Sequence, residues 1–258
     1  MTQRQIHHMN IVAHAGPIRG RVPGKILADI HGKPLLGRLL DRLYETKLLD
    51  DVVVATTINK EDDPLVEWLS SNNVKFFRGS ETDVLDRYYQ CATQFNADII
   101  VRVTADDPLK DPSIIEQAIM LCLSGQEIDY ASNTLQPTYP EGLDIEVFRM
   151  RALIRAQTEA ELPSEREHVT PYIWSHSEKF VLRQFSMAPN LNHWRWTVDK
   201  QADLEFVRSI FGYFINKPNV GYKEIISYIE QNPELLTINC GTARNEGYLR
   251  SLIEEQNK

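Results

Sequence analysis

Four apolar runs of strand length, each followed by a segment with helical spacing, constrain this chain more than any other feature. The runs are Met9-Asn10-Ile11-Val12-Ala13, Asp51-Val52-Val53-Val54-Ala55-Thr56, Val74-Lys75-Phe76-Phe77 and Ile99-Ile100-Val101-Arg102-Val103. Between them, Leu35, Leu36, Leu39, Leu40 and Leu43 recur on one helical face. Leu65, Trp68 and Leu69 do so within 62–71, and Leu85, Tyr88, Tyr89, Ala92 and Phe95 within 82–95. Pro112 then opens a helix reaching Leu123. Apolar strands alternating with amphipathic helices predict a mainly parallel sheet with helices on both faces and right-handed crossovers. Ligands of such sheets bind outside the carboxyl ends of strands. The residues that follow each run are therefore the first candidates for chemistry.

Beyond residue 125 the pattern is less regular. Strands are expected at 129–133, 143–148, 180–185 and 194–198, and helices at 151–160, 165–176, 202–214 and 222–230. No repeat or linker intervenes. The expectation is one domain over 9–258 with an inserted subregion at about 132–194, preceded by a polar extension at 1–8 that lacks the apolar stretch of a signal peptide. Hydrophobic residues make up 42% of the 258, enough for a sizeable core, and the net charge of -8 argues against general nucleic-acid or membrane-surface binding. The three cysteines, Cys91, Cys122 and Cys240, form no CxxC, which is the usage of a reduced compartment. No apolar run approaches membrane-spanning length. A cytoplasmic protein is expected.

The first run breaks into Gly20-Arg21-Val22-Pro23-Gly24-Lys25. Glycines that let the backbone approach, with Arg19, Arg21 and Lys25 as cations, suit a phosphate cradle; a surface turn is the alternative. The fourth run closes in Val103-Thr104-Ala105-Asp106-Asp107-Pro108. Strand-end carboxylates beside a phosphate loop fit Mg²⁺ held for a nucleotide, or equally a helix cap. Trp196-Thr197-Val198-Asp199 repeats the arrangement, and Asp106 and Asp199 can share a metal only if the fold brings them together. Arg78 and Arg87 flank a strand-to-helix junction, where a surface charge pattern is also possible. Ser164 and Glu167 resemble a capping box in a densely charged segment containing Arg166 and His168. The seven histidines form no HExxH motif, and no nucleophile set for a covalent hydrolase stands out.

The segments RVPGK, VVVATT, FFRGSETDVLDRYY, VRVTADDPL, TYPEGLDIEVF, PSEREHVTPY and RWTVD, in this order, resemble the cytidylyltransferases of the spore-coat polysaccharide type, related to the synthetases of CMP-Kdo and CMP-sialic acids. The likeness runs from about residue 10 to 215. It implies a Rossmann-like nucleotidyltransferase fold, CTP and Mg²⁺ as reactants, an acidic sugar or phosphorylated acceptor, and a homodimer. By position it implies Arg21, Lys25 and Asp106 as catalytic residues and Asp106 and Asp199 as metal ligands. It also places Ala13, Ala15, Arg78, Arg87, Thr104 and Ala105 at the nucleotide, and Glu141, Asp144, Arg166 and His168 near the acceptor. The loop departs from the family pattern: Gly16 stands where an Arg is expected, Pro17 lacks an N–H, and Arg19 is the nearest replacement cation. A nucleotide-sugar-dependent glycosyltransferase and a non-catalytic paralogue are the rival readings. The aromatic and apolar residues Leu135, Tyr139, Tyr172, Trp174 and Trp194 are the expected dimer face. Arg244, in the tail, reads as a surface residue or an assistant at the acceptor.

Overall fold

A computed structural model describes the backbone of residues 9–14 and the whole of 24–217 and 220–257. The phosphate-loop positions Ala15, Arg19 and Arg21 lie outside the described residues.

Strands β1 (Met9–His14), β2 (Asp51–Thr57), β3 (Lys75–Gly79) and β4 (Ile99–Thr104) pair in parallel in the order β3-β2-β1-β4. The sheet then continues through β6 (Glu146–Arg149), β5 (Tyr130–Ser132) and β7 (Leu182–Gln184); β6 runs antiparallel to both β4 and β5. The α/β alternation thus yields a mainly parallel, seven-stranded sheet. Chain direction along the sheet order reverses at β1 and β4, so the crevice at their carboxyl ends is the switch point of the fold. The register sets His14 beside Thr104 there.

Successive side chains of a strand face opposite ways, and here they divide the core into two layers. Val52 and Val54 of β2 join one cluster with α1 (Leu35–Tyr44), α2 (Asp63–Ser71), α4 (Pro112–Leu123), α8 (Gln201–Phe214) and α9 (Tyr222–Gln231). Val53 and Ala55 join the other with α3 (Val84–Gln94), α5 (Met150–Glu159) and α7 (Pro171–Ser175). Five leucines make α1 the anchor of the first layer, none more than 3% exposed; truncating any one to alanine costs about 2–5 kcal/mol. The α3 start is fixed by Asp83, which accepts from the Asp86 N–H at 2.9 Å, and the α4 start by Asp111 and Pro112.

Four expectations are corrected. The helix over 165–176 is two, α6 (Pro163–His168) and α7, because Val169 takes φ 74° and Pro171 brings no N–H to continue the ladder. The stretch 194–198 is not a ladder strand: Trp196 and Val198 are buried, but they bond to loops, through Trp196 N to Glu141 O (2.7 Å) and Val198 N to Asp106 O (2.9 Å). An unexpected helix, α10 (Glu246–Gln256), has no fully buried residue, and its Leu249 and Ile253 are exposed. Finally, Tyr139, Tyr172 and Trp194 are buried in this chain's own core and supply no dimer face. Cys91 and Cys122 are buried free thiols, and among the described residues no helix is long and apolar enough to cross a membrane.

Candidate active site

The 3₁₀ turn at Lys25–Leu27, the end of β4 and the segment before α8 meet at one point. Gly24, at φ 72°, turns the chain into a 3₁₀ turn that begins with Lys25. The Lys25 ammonium donates to Asp106 Oδ2 at 2.7 Å, Asp199 Oδ1 at 2.9 Å and the Val198 carbonyl at 2.7 Å. The two carboxylates, distant in sequence, are thus brought together around one cation. Burial alone would lower the Lys25 ammonium, but Asp106 and Asp199 outweigh it and hold it well above its ordinary value. Burial likewise opposes ionisation of Asp106, and Lys25 and Thr104 hold that carboxyl below its ordinary value.

Arg195 fixes Asp199 from the other side. Its guanidinium, 6% exposed, donates to Asp199 Oδ2 (2.8 Å), Glu141 Oε2 (2.7 Å) and Asp203 Oδ1 (2.9 Å). Asp203 also accepts from the backbone N–H groups of Asp199 and Lys200, which caps α8. The loop carrying Glu141 reaches this network because Gly142, at φ 105°, lies against the 196–197 backbone: a Cβ there would stand 2.8 Å from Thr197 N. Asp107, unlike Asp106, turns inward to the fully buried Lys110 (2.8 Å) and accepts from Thr104 Oγ1 (2.7 Å). Burial pushes its carboxyl up despite Lys110.

Two cavities open here. One, of about 210 Å³, lies over Asp106, Asp199, Thr104 and Glu141. The other, of about 280 Å³, is walled by Leu135, Trp174, Glu146 and Thr170. Arg102, Asp144, His168, Asn245 and Tyr248 line both, so the two adjoin. Burial lowers the His168 imidazole below its ordinary value, and its Nε2 meets Ser251 Oγ at 2.9 Å. Burial raises the Glu141 carboxyl, with Arg195 opposing.

Of the acceptor-side candidates, Glu141, Asp144 and His168 line these cavities. Arg166 does not: its guanidinium is taken up by Asp83 (2.7 Å), Gln157 and the Ala160 carbonyl, tying α6 to α3 and α5. On the nucleotide side, Ala13 pairs with Val103 at the end of β1, and Ala105 is buried behind Asp106. Arg78 is held by the carbonyls of Thr57 and Asn59 and by Asp63, and Arg87 is fully buried against the Ser80 carbonyl, so both brace the turns after β2 and β3 and line neither cavity. Sequence reasoning missed Arg102, Arg195, Asp203 and the tail residues Asn245 and Tyr248. For Arg102 a signal existed: a cation inside an apolar strand needs a buried partner, here Glu146.

The family model for cytidylyltransferases matches residues 20–233. The spore coat polysaccharide biosynthesis protein SpsF of Bacillus subtilis is 30% identical over 226 residues, 84% of this chain and 92% of that protein. A cytidylyltransferase structure from Leptospira borgpetersenii superposes with a TM-score of 0.86 at 34% identity, over 92% of this chain and all of the other. A CMP-2-keto-3-deoxy-manno-octonic acid synthetase complexed with CTP shares the fold, with a TM-score of 0.60 at 20% identity over 80% of this chain and 98% of the other.

Proposed function

The chain belongs to the cytidylyltransferase family, and from that premise we propose that it transfers CMP from CTP to an oxygen of a small sugar acceptor in the making of surface-polysaccharide or glycoconjugate precursors. The acceptor oxygen bonds to the α-phosphorus, the bond to the bridging oxygen breaks, and pyrophosphate leaves with that oxygen. An acceptor hydroxyl loses its proton; an acceptor carboxylate has none to lose. The observation that carries this reading is the convergence of Asp106 and Asp199 on Lys25 at the switch point of the sheet.

Those residues fit a divalent cation. Two carboxylates on separate elements already enclose one positive charge, and a hard cation such as Mg²⁺ takes one or two carboxylates, with phosphate oxygens and water completing its shell. Asp106 and Asp199 would hold Mg²⁺, which when bound polarises the α-phosphate. Arg195 keeps Asp199 aimed at the site. Lys25, fully protonated, neutralises charge as pyrophosphate forms, and Arg19 and Arg21 are the further cations assigned to the triphosphate, with Arg19 in place of the family's missing cation. Thr104 holds the turn that presents Asp106. His168, kept neutral at pH 7 by burial, lines the junction of the two cavities and is the side chain able to take the proton of an acceptor hydroxyl. The acceptor enters through the larger cavity, where Asp144 and Arg102 meet it; a homodimer and a cytoplasmic location complete the reading.

Equilibrium binding of CTP, UTP, ATP and GTP, each with and without Mg²⁺, tests it. CTP with Mg²⁺ is expected to bind tightest, by roughly tenfold or more, the equivalent of one good hydrogen bond to the base. Asp106→Asn and Asp199→Asn should each abolish the Mg²⁺ dependence. No CTP binding, or equal binding of all four nucleotides, contradicts the proposal.

A further inference from the structure

The family match ends at residue 233, yet the segment beyond it is fastened to the site by polar contacts. Asn239 donates to the Arg195 carbonyl at 2.9 Å, Lys200 donates to Thr242 at 3.0 Å, and the Asn245 N–H donates to Glu141 Oε1 at 2.8 Å. Arg244 bonds Asp144 and the Tyr139 carbonyl. α10 itself has no fully buried residue and rests on α6 through Ser251–Glu167 and Ser164–Glu255. The helix is thus held beside the cavity by a row of polar contacts and by the packing of one aromatic ring, while its Leu249 and Ile253 stay exposed.

What it presents is Tyr248. The ring stands edge-on to His168 (centroids 5.1 Å apart, 83°) and to Trp174 (5.8 Å, 77°). These aromatic groups and Leu135 make one apolar wall of the larger cavity. Polar groups face the same space: Thr134, Thr170, the Asn245 side and Arg102. Arg102 gives Nη1 to Glu146, while its buried Nε has no hydrogen-bond partner among the described residues. A buried donor without a partner calls for one. An aromatic wall beside converging donors and acceptors suits a molecule with an apolar face and a polar rim.

We propose that the carboxyl-terminal segment is the acceptor-selecting element, with Tyr248 and Trp174 seating the C–H face of a sugar ring whose oxygens meet Arg102 and Asn245. This rests on the cytidylyl-transfer reading, which names the reaction but not the shape of the acceptor. An acyclic polyol has no ring face to lay on the wall and is not the ligand.

Saturation-transfer NMR on the full chain, without nucleotide, tests this with glucose, N-acetylglucosamine, glucuronate and 3-deoxy-manno-octulosonate as probes and sorbitol as the acyclic control. At least one ring sugar is expected to receive saturation from the wild type and from Tyr248→Phe, which keeps the wall. In Tyr248→Ala the signal should fall roughly fivefold or more, as for the loss of one aromatic contact, and sorbitol should stay silent. Unfolding midpoints confirm that the variants are folded. No ring-sugar signal in the wild type, equal signals in Tyr248→Ala, or a sorbitol signal as strong as the sugars' overturns the proposal. CTP binding measured on the same three proteins reports separately on the cytidylyl-transfer reading.

Discussion

Arg195→Met tests how far the site depends on one buried cation. The guanidinium makes charged hydrogen bonds to Glu141, Asp199 and Asp203, each between 2.7 and 2.9 Å. Asp203 is 1% exposed and Glu141 8%, so neither can turn to bulk water when the cation goes. The bonds do not simply add, because each carboxylate keeps other donors. Asp203 keeps the N–H groups of Asp199 and Lys200 and the amide of Asn239, Glu141 keeps the Asn245 N–H, and Asp199 keeps Lys25. The loss should be that of breaking a buried pair, about 3–5 kcal/mol. For a chain of this size that is a fall in Tm of roughly 6–20 °C. Arg195→Lys should recover less than half, since one ammonium cannot meet three carboxylates in a plane. The pH dependence carries a sign. Burial already raises the Glu141 carboxyl and Arg195 opposes that rise, so without Arg195 the folded state takes up a proton at Glu141 before the unfolded chain does and the deficit shrinks as pH falls from 7 to 5. Urea denaturation at both pH values measures this. A loss under about 1 kcal/mol, or a deficit that grows on acidification, refutes the reasoning.

Lys25→Ala removes the cation that neutralises Asp106 and Asp199, so Mn²⁺ titrated without nucleotide and followed by electron paramagnetic resonance should bind more tightly than to the wild type, by roughly tenfold or more; unchanged affinity contradicts a shared carboxylate site. His168, whose folded-state value lies below the ordinary imidazole value of about 6.5, destabilises the fold as pH drops through that range because the unfolded chain protonates first. The loss should approach at most about 1.4 kcal/mol per pH unit and be absent in His168→Gln, as read by denaturation between pH 7.5 and 5.5. Leu39→Ala in α1, at a fully buried position, should cost about 2–5 kcal/mol without changing CTP affinity.

The fold was legible where a segment meets the sheet directly. The leucines of α1 and the apolar runs of β2 and β4 carry the periods of their elements, and the parallel order follows from their alternation. It was less legible where backbone groups bond to loops: Trp194 to Val198 has a strand's apolar pattern but pairs with residues near Glu141 and Asp106. Asp106, Asp199 and Lys25 could be named as candidates because each ends an apolar run or opens a loop. Their meeting is a fact of topology, which spacing cannot express. Arg166 looked like an acceptor ligand because a cation in a charged segment says nothing of its partners, and Asp83, 83 residues away, claims it. The tail helix was not read because its apolar positions are few, and two of them, Leu249 and Ile253, stay exposed instead of facing the core.

The measurement that bears most directly on the account is the fate of the α-phosphorus of CTP. The protein is incubated with [α-³²P]CTP, Mg²⁺ and a panel of sugar acids and phosphorylated sugars that includes 3-deoxy-manno-octulosonate, and pyrophosphate is followed in parallel. The account predicts that label enters a new CMP ester in step with the release of one pyrophosphate, and that Asp106→Asn and Asp199→Asn lose both signals together. Label that stays in CTP throughout the panel, or pyrophosphate release equally fast in the two variants, contradicts it.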